Sequence, residues 1–351
     1  MLRGEHALLV PTAPERTTWW PICQLPADIG ELVGRTSELR TITAHLAARD
    51  AVVLVSGPPG VGKTALAVHA AHRLEETFTD GQLYADLHGH AQQLAVPPTQ
   101  VLSGFLRALG VAPEDLPSDE AGLSARYRSL VAGRRVLIVL DNAANSDQVR
   151  PLLPTSARCA VVVTSRNELR GLAASHSSHR LRMDVLSQDS ALTLMTSLLE
   201  RPERTEAMTT LVELCGGLPL AVRIAATNIA CGNDTVESYV DKLRTVDWLS
   251  ELAIDGDGEA ALRTVFDLSY NALTPEAQHV FTALARAEAT DFCAQEAANL
   301  TGVPIASVIS ALDRLADANL IQNSAPDSFH FPTLLRRYAA DRLVAEHGGR
   351  G

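Results

Sequence analysis

The amino-acid sequence predicts an α/β domain with a parallel sheet, followed by an α-helical domain and a winged-helix domain. Up to about residue 185, strands that are apolar throughout alternate with helical patterns, as in a parallel sheet covered on both faces. From residue 186 the strand patterns give way to helices. Near the C-terminus, three helices and a short hairpin give the outline of a winged helix. Since the chain has 351 residues, two or three domains are expected.

The composition argues against several classes of protein. Hydrophobic residues make up 46% of the chain, which is typical of a folded, helix-rich protein. The formal net charge of −11 argues against a broadly basic surface for nucleic acid or membrane. Five cysteines are scattered without metal-ligand spacing, as expected for free thiols in a reducing cytoplasm. No apolar run approaches the roughly 20 residues of a membrane span, and no signal-peptide core is present, so we expect a cytoplasmic protein without a membrane partner.

Residues 1–29 are interpreted as a lead-in segment, because they contain four prolines and little periodicity. Their most conspicuous feature is Trp19-Trp20, for which packing onto the following domain is favoured over docking of a partner. A short apolar turn, Val33-Gly34-Arg35, then precedes an amphipathic helix at 38–46. This turn stands one helix before the next strand, where an adenine ring could be gripped.

The most informative stretch follows the apolar run at 51–55 and opens a helix at 65–71. It reads Gly57-Pro58-Pro59-Gly60-Val61-Gly62-Lys63-Thr64, the Walker A pattern in its strand, loop and helix context. Glycines let backbone N–H groups turn towards a phosphate, and the helix dipole favours the anion. Lys63 can reach the β- and γ-phosphates, and Thr64 can hold Mg²⁺. The predicted phosphate-binding residues are Pro59, Gly60, Val61, Gly62, Lys63, Thr64 and Ala65.

Four more strands are predicted after this loop, at 82–87, 135–140, 159–163 and 181–185. Helices near 98–109 and 119–132 separate the first two of them. In a parallel sheet, ligand chemistry belongs at the carboxyl ends of the strands. Gly57, Asp141 and Arg166 all follow such ends, which predicts an α/β P-loop NTPase domain.

Asp141 follows an apolar strand and is assigned the Walker B role, in which it anchors Mg²⁺. The alternative role of a turn former is less favoured, because the metal held by Thr64 needs a second anionic anchor. The next residue, Asn142, is an amide that cannot accept a proton from water. Hydrolysis is therefore expected to be weak unless another residue supplies the base. Arg166 is predicted to contact the γ-phosphate and so to distinguish a triphosphate from a diphosphate.

The second half of the chain is predicted to be mostly helical. Helices are expected at 187–200, 205–215, 220–230 and 236–243, with a flexible boundary at Asp255-Gly256-Asp257-Gly258. More helices are expected near 259–271, 275–289, 293–301, 304–318 and 334–345, with a hairpin within 320–331. The predicted divisions are a lead-in segment at 1–29, a nucleotide-binding domain at 30–185, a helical domain at 186–254 and a winged-helix domain at 255–351.

Five motifs occur in the order and spacing seen in the NB-ARC ATPases, so the chain resembles this family of STAND-class switches. The motifs are Val33-Gly34-Arg35, residues 57–64, Leu140-Asp141-Asn142, Thr164-Ser165-Arg166 and Gly217-Leu218-Pro219-Leu220. The sequences at 24–29 and 265–270 look most like those of the AfsR-type antibiotic biosynthesis regulators of filamentous bacteria. The resemblance covers roughly residues 24–345.

The resemblance implies an AAA-like nucleotide-binding domain, a helical domain and a winged helix folded over ADP. It implies adenine contacts from Val33, Gly34 and Arg35 and from Pro219 and Leu220. Exchange of ADP for ATP, with Mg²⁺, would open the molecule and permit homo-oligomerisation. We therefore expect a switch in a transcriptional or signalling regulator, and at most a slow Mg-dependent ATPase.

Two departures from the family pattern stand out. The family's Met-His-Asp motif is replaced by Phe331-Pro332-Thr333, and His330 lies two residues too early to substitute for its histidine. The sequence therefore leaves both ADP and ATP as candidates for the nucleotide bound in the resting state. Secondly, AfsR-type regulators usually carry an N-terminal DNA-binding and activator region and a C-terminal repeat sensor, whereas fewer than 30 residues precede Leu32 and the sequence stops at Gly351. The sequence is therefore expected to be either an excised switch core or a stand-alone version, with effector or sensor domains or proteins as partners from outside these residues.

Two other functions are weighed against the switch. The first is an AAA-like ATPase that binds DNA directly through its winged helix. Its recognition helix would carry Asp313, Arg314 and Asp317, which is too acidic for groove reading, so a packing role is favoured. The second is a kinase-like P-loop enzyme, for which no acceptor site is identifiable.

Overall fold

The computed structural model describes residues 21–30, 32–48, 52–89, 95–245, 247–254, 256–287 and 289–348. Trp19 and Trp20, the pair expected to pack or to dock a partner, lie outside the described residues. In the part of the chain that is described, no helix is long and apolar enough to cross a membrane.

A six-stranded parallel sheet forms the first half of the structure. Its strands are β1 (Ile22–Cys23), β2 (Val52–Ser56), β3 (Gly81–Asp86), β4 (Val136–Ala143), β5 (Ala160–Ser165) and β6 (Ser178–Arg182). Their spatial order is β1-β3-β4-β5-β2-β6. β5 therefore separates the strand before the Walker A loop from the strand that carries Asp141.

Helices cover both faces of this sheet. They are α1 (Thr36–Ala47), α2 (Lys63–His72), α3 (Pro98–Ala108), α4 (Glu120–Val131), α5 (Ser146–Val149) and α6 (Arg170–Ser175). Alternate residues of β2 enter two different hydrophobic cores, with Val53 and Val55 on one face and Val52 and Leu54 on the other. Because both faces are buried, the central strands are apolar along most of their length, as predicted, and polar residues appear only towards their carboxyl ends.

Two predictions for this half of the chain were wrong. The lead-in segment contributes β1, which pairs in parallel with β3, so the sheet begins before residue 30. The last strand lies at Ser178–Arg182 and not at 181–185, because its five residues pair in register with β2. As the edge strand, β6 exposes Arg180 and Arg182 and has no continuous apolar run to reveal it.

The second half contains ten helices among its described residues. They are α7 (Gln188–Leu198), α8 (Glu206–Leu214), α9 (Pro219–Cys231), α10 (Val236–Leu243), α11 (Trp248–Glu251), α12 (Leu262–Asn271), α13 (Pro275–Leu284), α14 (Ala294–Thr301), α15 (Ile305–Asp317) and α16 (Thr333–Gly348). Two antiparallel sheets accompany them. One pairs β7 (Ala253–Ile254) with β8 (Asp257–Ala261). The other contains β9 (Asp291–Cys293), β10 (Gln322–Ala325) and β11 (Ser328–His330), in the spatial order β10-β11-β9.

The expected flexible boundary at 255–258 is partly structured. Ala253 pairs with Ala261 and Ile254 with Asp257, so the described residues on either side of Asp255 form a strand pair, while Asp255 lies outside the described residues. The following helix consequently begins at Leu262 and not at 259. A turn pattern is shared by flexible linkers and hairpins, and here pairing between the neighbouring residues decides between them.

The helices of the second half share a hydrophobic core with one face of the parallel sheet. The last helix, α16, contacts two earlier helices. The guanidinium of its Arg337 lies 4.5 Å from the ring centre of Trp248 on α11. The indole of Trp248 donates a hydrogen bond to Asp341 of α16 over 3.0 Å. Tyr338 of the same helix donates to Asp267 on α12 over 2.5 Å. α16 is therefore fixed to α11 and α12.

The hydroxyl of Tyr127 on α4 is buried and has no hydrogen-bond partner among the residues that the structure describes. We expect Tyr127→Phe to leave the free energy of unfolding unchanged or to raise it by about 1 kcal/mol, since it removes an unsatisfied polar group. Tyr239→Phe is the matched control, because the hydroxyl of Tyr239 donates to the Glu251 carbonyl and accepts from Asn228. The control should lose about 1 kcal/mol. Urea unfolding measures both, and an equal loss in the two variants would contradict the prediction.

Candidate functional site

The Walker A loop turns tightly between β2 and α2, and its glycines permit this turn. Gly60 and Gly62 have φ angles of +78° and +95°, in the left-handed region that favours glycine. At Gly57, an added Cβ would lie 2.5 Å from the carbonyl oxygen of Met183, which is a clash. These positions bring the loop backbone over the N-terminus of α2, where an anion is favoured by the helix dipole.

Lys63 is folded back onto the loop. Its Nζ donates hydrogen bonds to the carbonyl oxygens of Gly57 over 2.8 Å and Pro58 over 2.9 Å. Burial, followed by the charge of Arg166, lowers the pKa of Lys63 to about 7, although Asp141 opposes this. A phosphate placed in the loop would offer the ammonium group a stronger, charged acceptor than these carbonyls.

Asp141 lies at the carboxyl end of β4 and is 4% exposed. Thr64 donates to both of its carboxylate oxygens over 2.9 Å, Tyr84 donates over 3.2 Å, and Thr164 donates a third hydroxyl. Burial raises the pKa of Asp141, while the hydrogen bonds from Thr164 and Thr64 act in the opposite direction. The Thr64 hydroxyl and the Asp141 carboxylate together form the hard oxygen set that suits Mg²⁺.

Arg166 links the end of β5 to α12. One guanidinium nitrogen donates to the Val265 carbonyl over 2.9 Å and to the Ser269 hydroxyl over 2.8 Å. The Asn319 amide donates to the backbone carbonyl of Arg166 over 2.6 Å. Burial lowers the pKa of Arg166 to about 10, so the side chain remains a cation at neutral pH. The predicted phosphate sensor thus also holds the C-terminal helices.

A cavity of about 670 Å³ brings most of the predicted site residues together. Those that line it are Pro59, Gly60, Gly62, Lys63, Thr64, Ala65, Asp141, Arg166, Pro219 and Leu220. Val61 is buried beneath the loop. The volume falls in the range of 300–1,000 Å³ found for ligand sites.

The predicted adenine region lies beside this cavity. A smaller space of about 50 Å³ is lined by Val33, Val61, Ala65 and Pro219, among others. Arg35 lines the same space, but its guanidinium donates to the carbonyls of Asp184 over 2.6 Å and Val61 over 3.3 Å. An added Cβ on Gly34 would lie 2.6 Å from Ser190, so this residue permits close packing with α7.

The start of α9 closes one side of the cavity. The amide of Leu220 donates to the Gly60 carbonyl over 3.2 Å, which joins α9 to the loop. Gly217 has a φ of +64°, and a Cβ there would lie 2.5 Å from the Leu186 carbonyl oxygen. The Gly217-Leu218-Pro219-Leu220 motif is thus explained by close packing at Gly217 and by the placement of the Pro219 and Leu220 side chains on the cavity.

Several lining residues were missed by sequence reasoning. They are Pro26, Ala27, Ile29, Val68, Tyr84, Asp86, Asn142, Thr164 and Arg223. Tyr84 and Asp86 carry a usable signal, because residues two apart on a strand share a face and β3 ends beside β4. The residues before 30 carry none, since only tertiary packing brings them over the loop.

The stretch that replaces the Met-His-Asp motif lies away from the cavity lining. The ring of Phe331 is buried against Phe281, with 5.3 Å between ring centres. His330 Nδ1 is 3.0 Å from the carboxylate of Asp291 on the neighbouring strand. His330 is therefore engaged within the three-stranded sheet.

Residues 31–212 match the family model described as an AAA ATPase domain. The chain is 37% identical over 356 residues to "Regulatory protein AfsR" of Streptomyces coelicolor, an alignment covering 97% of this chain and 35% of the relative. It is 27% identical over 270 residues to "Probable disease resistance RPP8-like protein 2" of Arabidopsis thaliana, covering 73% and 29%. The chain spans about a third of the length of the curated relatives it matches.

A solved structure agrees at the level of the fold. The structure of a Walker-type ATPase of Pyrococcus abyssi superposes with a TM-score of 0.55 at 12% identity, covering 88% of this chain and 95% of that one. The likeness supports the α/β P-loop architecture. The family model and the sequence relatives confirm the resemblance inferred from the five motifs.

Proposed function

This chain belongs to the AAA ATPase domain family, and from that premise we propose that it is the ATP/ADP-controlled switch of a bacterial transcriptional or signalling regulator. One observation carries the proposal most directly. Arg166 lines the same cavity as the Walker A loop and also bonds to Val265 and Ser269 on α12. A single side chain can therefore respond to the nucleotide and hold the C-terminal helices.

In the proposed state, the nucleotide phosphates occupy the loop. Lys63 exchanges the carbonyls of Gly57 and Pro58 for phosphate oxygens, and Val33 and Pro219 flank the adenine. Thr64 and Asp141 would hold Mg²⁺, which neutralises phosphate charge when bound. The fit of the metal rests on the hydroxyl and carboxylate oxygens already in contact at 2.9 Å.

The switch would operate through competition for Arg166. A γ-phosphate is a doubly charged acceptor, whereas Val265 and Ser269 offer neutral oxygens, so the guanidinium favours the phosphate. Its departure would release α12 and the rest of the winged-helix domain, assigned to residues 255–351. With ADP there is no such competitor, and the contacts with α12 are kept.

The relatives suggest a context for this switch. Two of them are named as regulatory proteins, and the aligned part covers 35–36% of their length. We propose that opening exposes surfaces for homo-oligomerisation and acts on effector or sensor parts that these residues do not provide. Regulation of antibiotic biosynthesis, as in the AfsR-type group, is the proposed output.

Direct DNA binding is not part of the proposal. Asp317 on α15 forms an ion pair with Arg170 on α6, with 2.7 Å between the carboxylate and guanidinium atoms. This contact ties the expected recognition helix to the first half of the chain. Asp313 adds a second acid to the same helix, which disfavours contact with DNA phosphates. We therefore assign this helix a packing role. Duplex binding that weakens steeply with salt would reverse this assignment.

If the chain is such a switch, it should bind an adenine nucleotide, and the mass of its assembly in solution should depend on which nucleotide is bound. We expect ATP or ADP to be released when the purified protein is heat-denatured, and chromatography identifies which one. Light scattering should give a larger mass with ATP and Mg²⁺ than with ADP, because only ATP releases α12. A monomer under ATP, ADP and no nucleotide alike would contradict the oligomerising form of the switch.

A further inference from the structure

Asp86 is a carboxylate in the nucleotide cavity that the proposed function leaves without a role. Asp141, the only acid in the Walker B motif, is already engaged with three hydroxyls and assigned to the metal. Asn142, which follows it, cannot take a proton. Asp86 ends the neighbouring strand β3 and lines the same cavity.

The sheet places Asp86 directly beside Asp141. The two residues are paired in the parallel register of β3 and β4. Tyr84, two residues earlier and therefore on the same face of β3, reaches Asp141 with its hydroxyl over 3.2 Å. The side chain of Asp86 is 37% exposed, whereas Asp141 is 4% exposed as a whole residue, so the Asp86 carboxylate is accessible to water.

The loop after β3 holds the Asp86 carboxylate in place. The backbone amide of His88 donates to an Asp86 carboxylate oxygen over 2.8 Å. The amides of Leu87 and Gly89 donate to the carbonyls of Asp141 and Asn142 over 2.9 and 2.8 Å. A Cβ on Gly89 would lie 2.2 Å from the Ala144 amide nitrogen, so the two loops are in close contact. This arrangement is preorganised, as a proton acceptor needs to be.

We propose that Asp86 is the general base for ATP hydrolysis in this site, an inference that rests on the proposed nucleotide binding. The oxygen of a water molecule forms a bond to the γ-phosphorus, and the bond from that phosphorus to the β–γ bridging oxygen breaks. The bridging oxygen leaves with the electron pair as part of ADP. The water proton passes to the Asp86 carboxylate and then to solvent, and ADP and inorganic phosphate are the products.

Asp86 could instead have one of two other roles. Thr64, the residue that would share a metal with the Walker B acid, contacts Asp141 and not Asp86. Among the described residues, no group of three or more His, Cys, Asp or Glu side chains could hold a separate metal ion. The bond from the His88 amide is also typical of a turn former, and the His88 imidazole lies 3.6 Å from the other Asp86 carboxylate oxygen. A purely structural role would leave the hydrolysis rate of Asp86→Asn unchanged, so the rate decides between the two roles.

The test separates the chemical step from binding. In a single-turnover assay with radiolabelled ATP, Asp86→Asn should lower the hydrolysis rate by about 10²- to 10⁴-fold, the usual contribution of a general base. Calorimetry should give an ATP Kd within about threefold of wild type, with the same Mg²⁺ requirement and the same thermal unfolding midpoint. The control Asp115→Asn removes an equal charge from an exposed turn and should leave every measurement unchanged.

Three results would overturn the assignment. In the first, wild-type protein binds ATP but does not hydrolyse it. In the second, Asp86→Asn hydrolyses ATP at the wild-type rate. In the third, Asp86→Asn loses ATP affinity by as large a factor as it loses rate, or its Mg²⁺ requirement changes. The last would make Asp86 a binding residue. Failure of wild-type protein to bind ATP at all would instead count against the proposed function, so the two failures are distinguishable.

Discussion

Lys63→Ala is expected to abolish adenine-nucleotide binding, with a loss of at least about 100-fold in affinity for both ADP and ATP. Hydrogen bonds between charged groups contribute about 1.5–3 kcal/mol each, and the ammonium group is expected to reach more than one phosphate oxygen. The loop itself should survive, because its turn depends on Gly57, Gly60 and Gly62 and not on the lysine side chain. Isothermal titration calorimetry measures the change.

The chain offers a matched control for this substitution. Its only other lysine is Lys242, which pairs with Asp234 on the surface of the second half over 2.7 Å. Lys242→Ala removes the same charge and should bind nucleotide as wild type does. Wild-type affinity in Lys63→Ala would refute the assignment of the Walker A loop as the phosphate site.

Arg166→Ala is expected to remove the preference for ATP over ADP. The guanidinium would lose its contact with the γ-phosphate, which at about 1.5–3 kcal/mol lowers ATP affinity by roughly 10- to 150-fold. ADP affinity should change little, since ADP has no γ-phosphate. The change is measured as the ratio of the two dissociation constants, and light scattering should no longer show an ATP-dependent mass.

Ser269→Ala should act in the opposite direction on the same switch. It removes one acceptor that holds Arg166 in the resting arrangement, worth about 0.5–1.5 kcal/mol, so ATP should bind about 2- to 12-fold more tightly. ADP affinity again serves as the control. If both substitutions weakened ATP binding equally, competition between the phosphate and α12 for Arg166 would be disproved.

The parts of the site that sequence alone predicts are those with local causes. The Walker A stretch requires a buried strand, glycines and a helix within about twenty residues, and all three are adjacent in the chain. Asp141 and Arg166 follow two apolar runs, and parallel pairing of β4 with β5 brings both to one edge. A pattern of strand ends is enough to predict this convergence.

The parts that sequence did not predict depend on contacts between distant residues. The acceptors of Arg166 lie 99 and 103 residues further along the chain, and nothing near Val265 or Ser269 marks them as partners. β1 has only two residues and exists because β3 offers a free edge. Asp86 lies inside the predicted strand at 82–87, two residues after Tyr84, which places both on one face, but only the pairing of β3 with β4 gives it a neighbour in Asp141.

The first turn of α9 is fastened to the phosphate-binding loop by the Leu220 amide, and the missing Cβ of Gly60 lets the two segments approach closely. We therefore expect α9 to move together with the loop, so that the proposed opening would rotate only segments that lie beyond α9 in the chain. A pair of fluorescent probes on α9 and α3 would then keep a constant separation as nucleotides exchange. A probe moved from α9 to α15 would report the rotation.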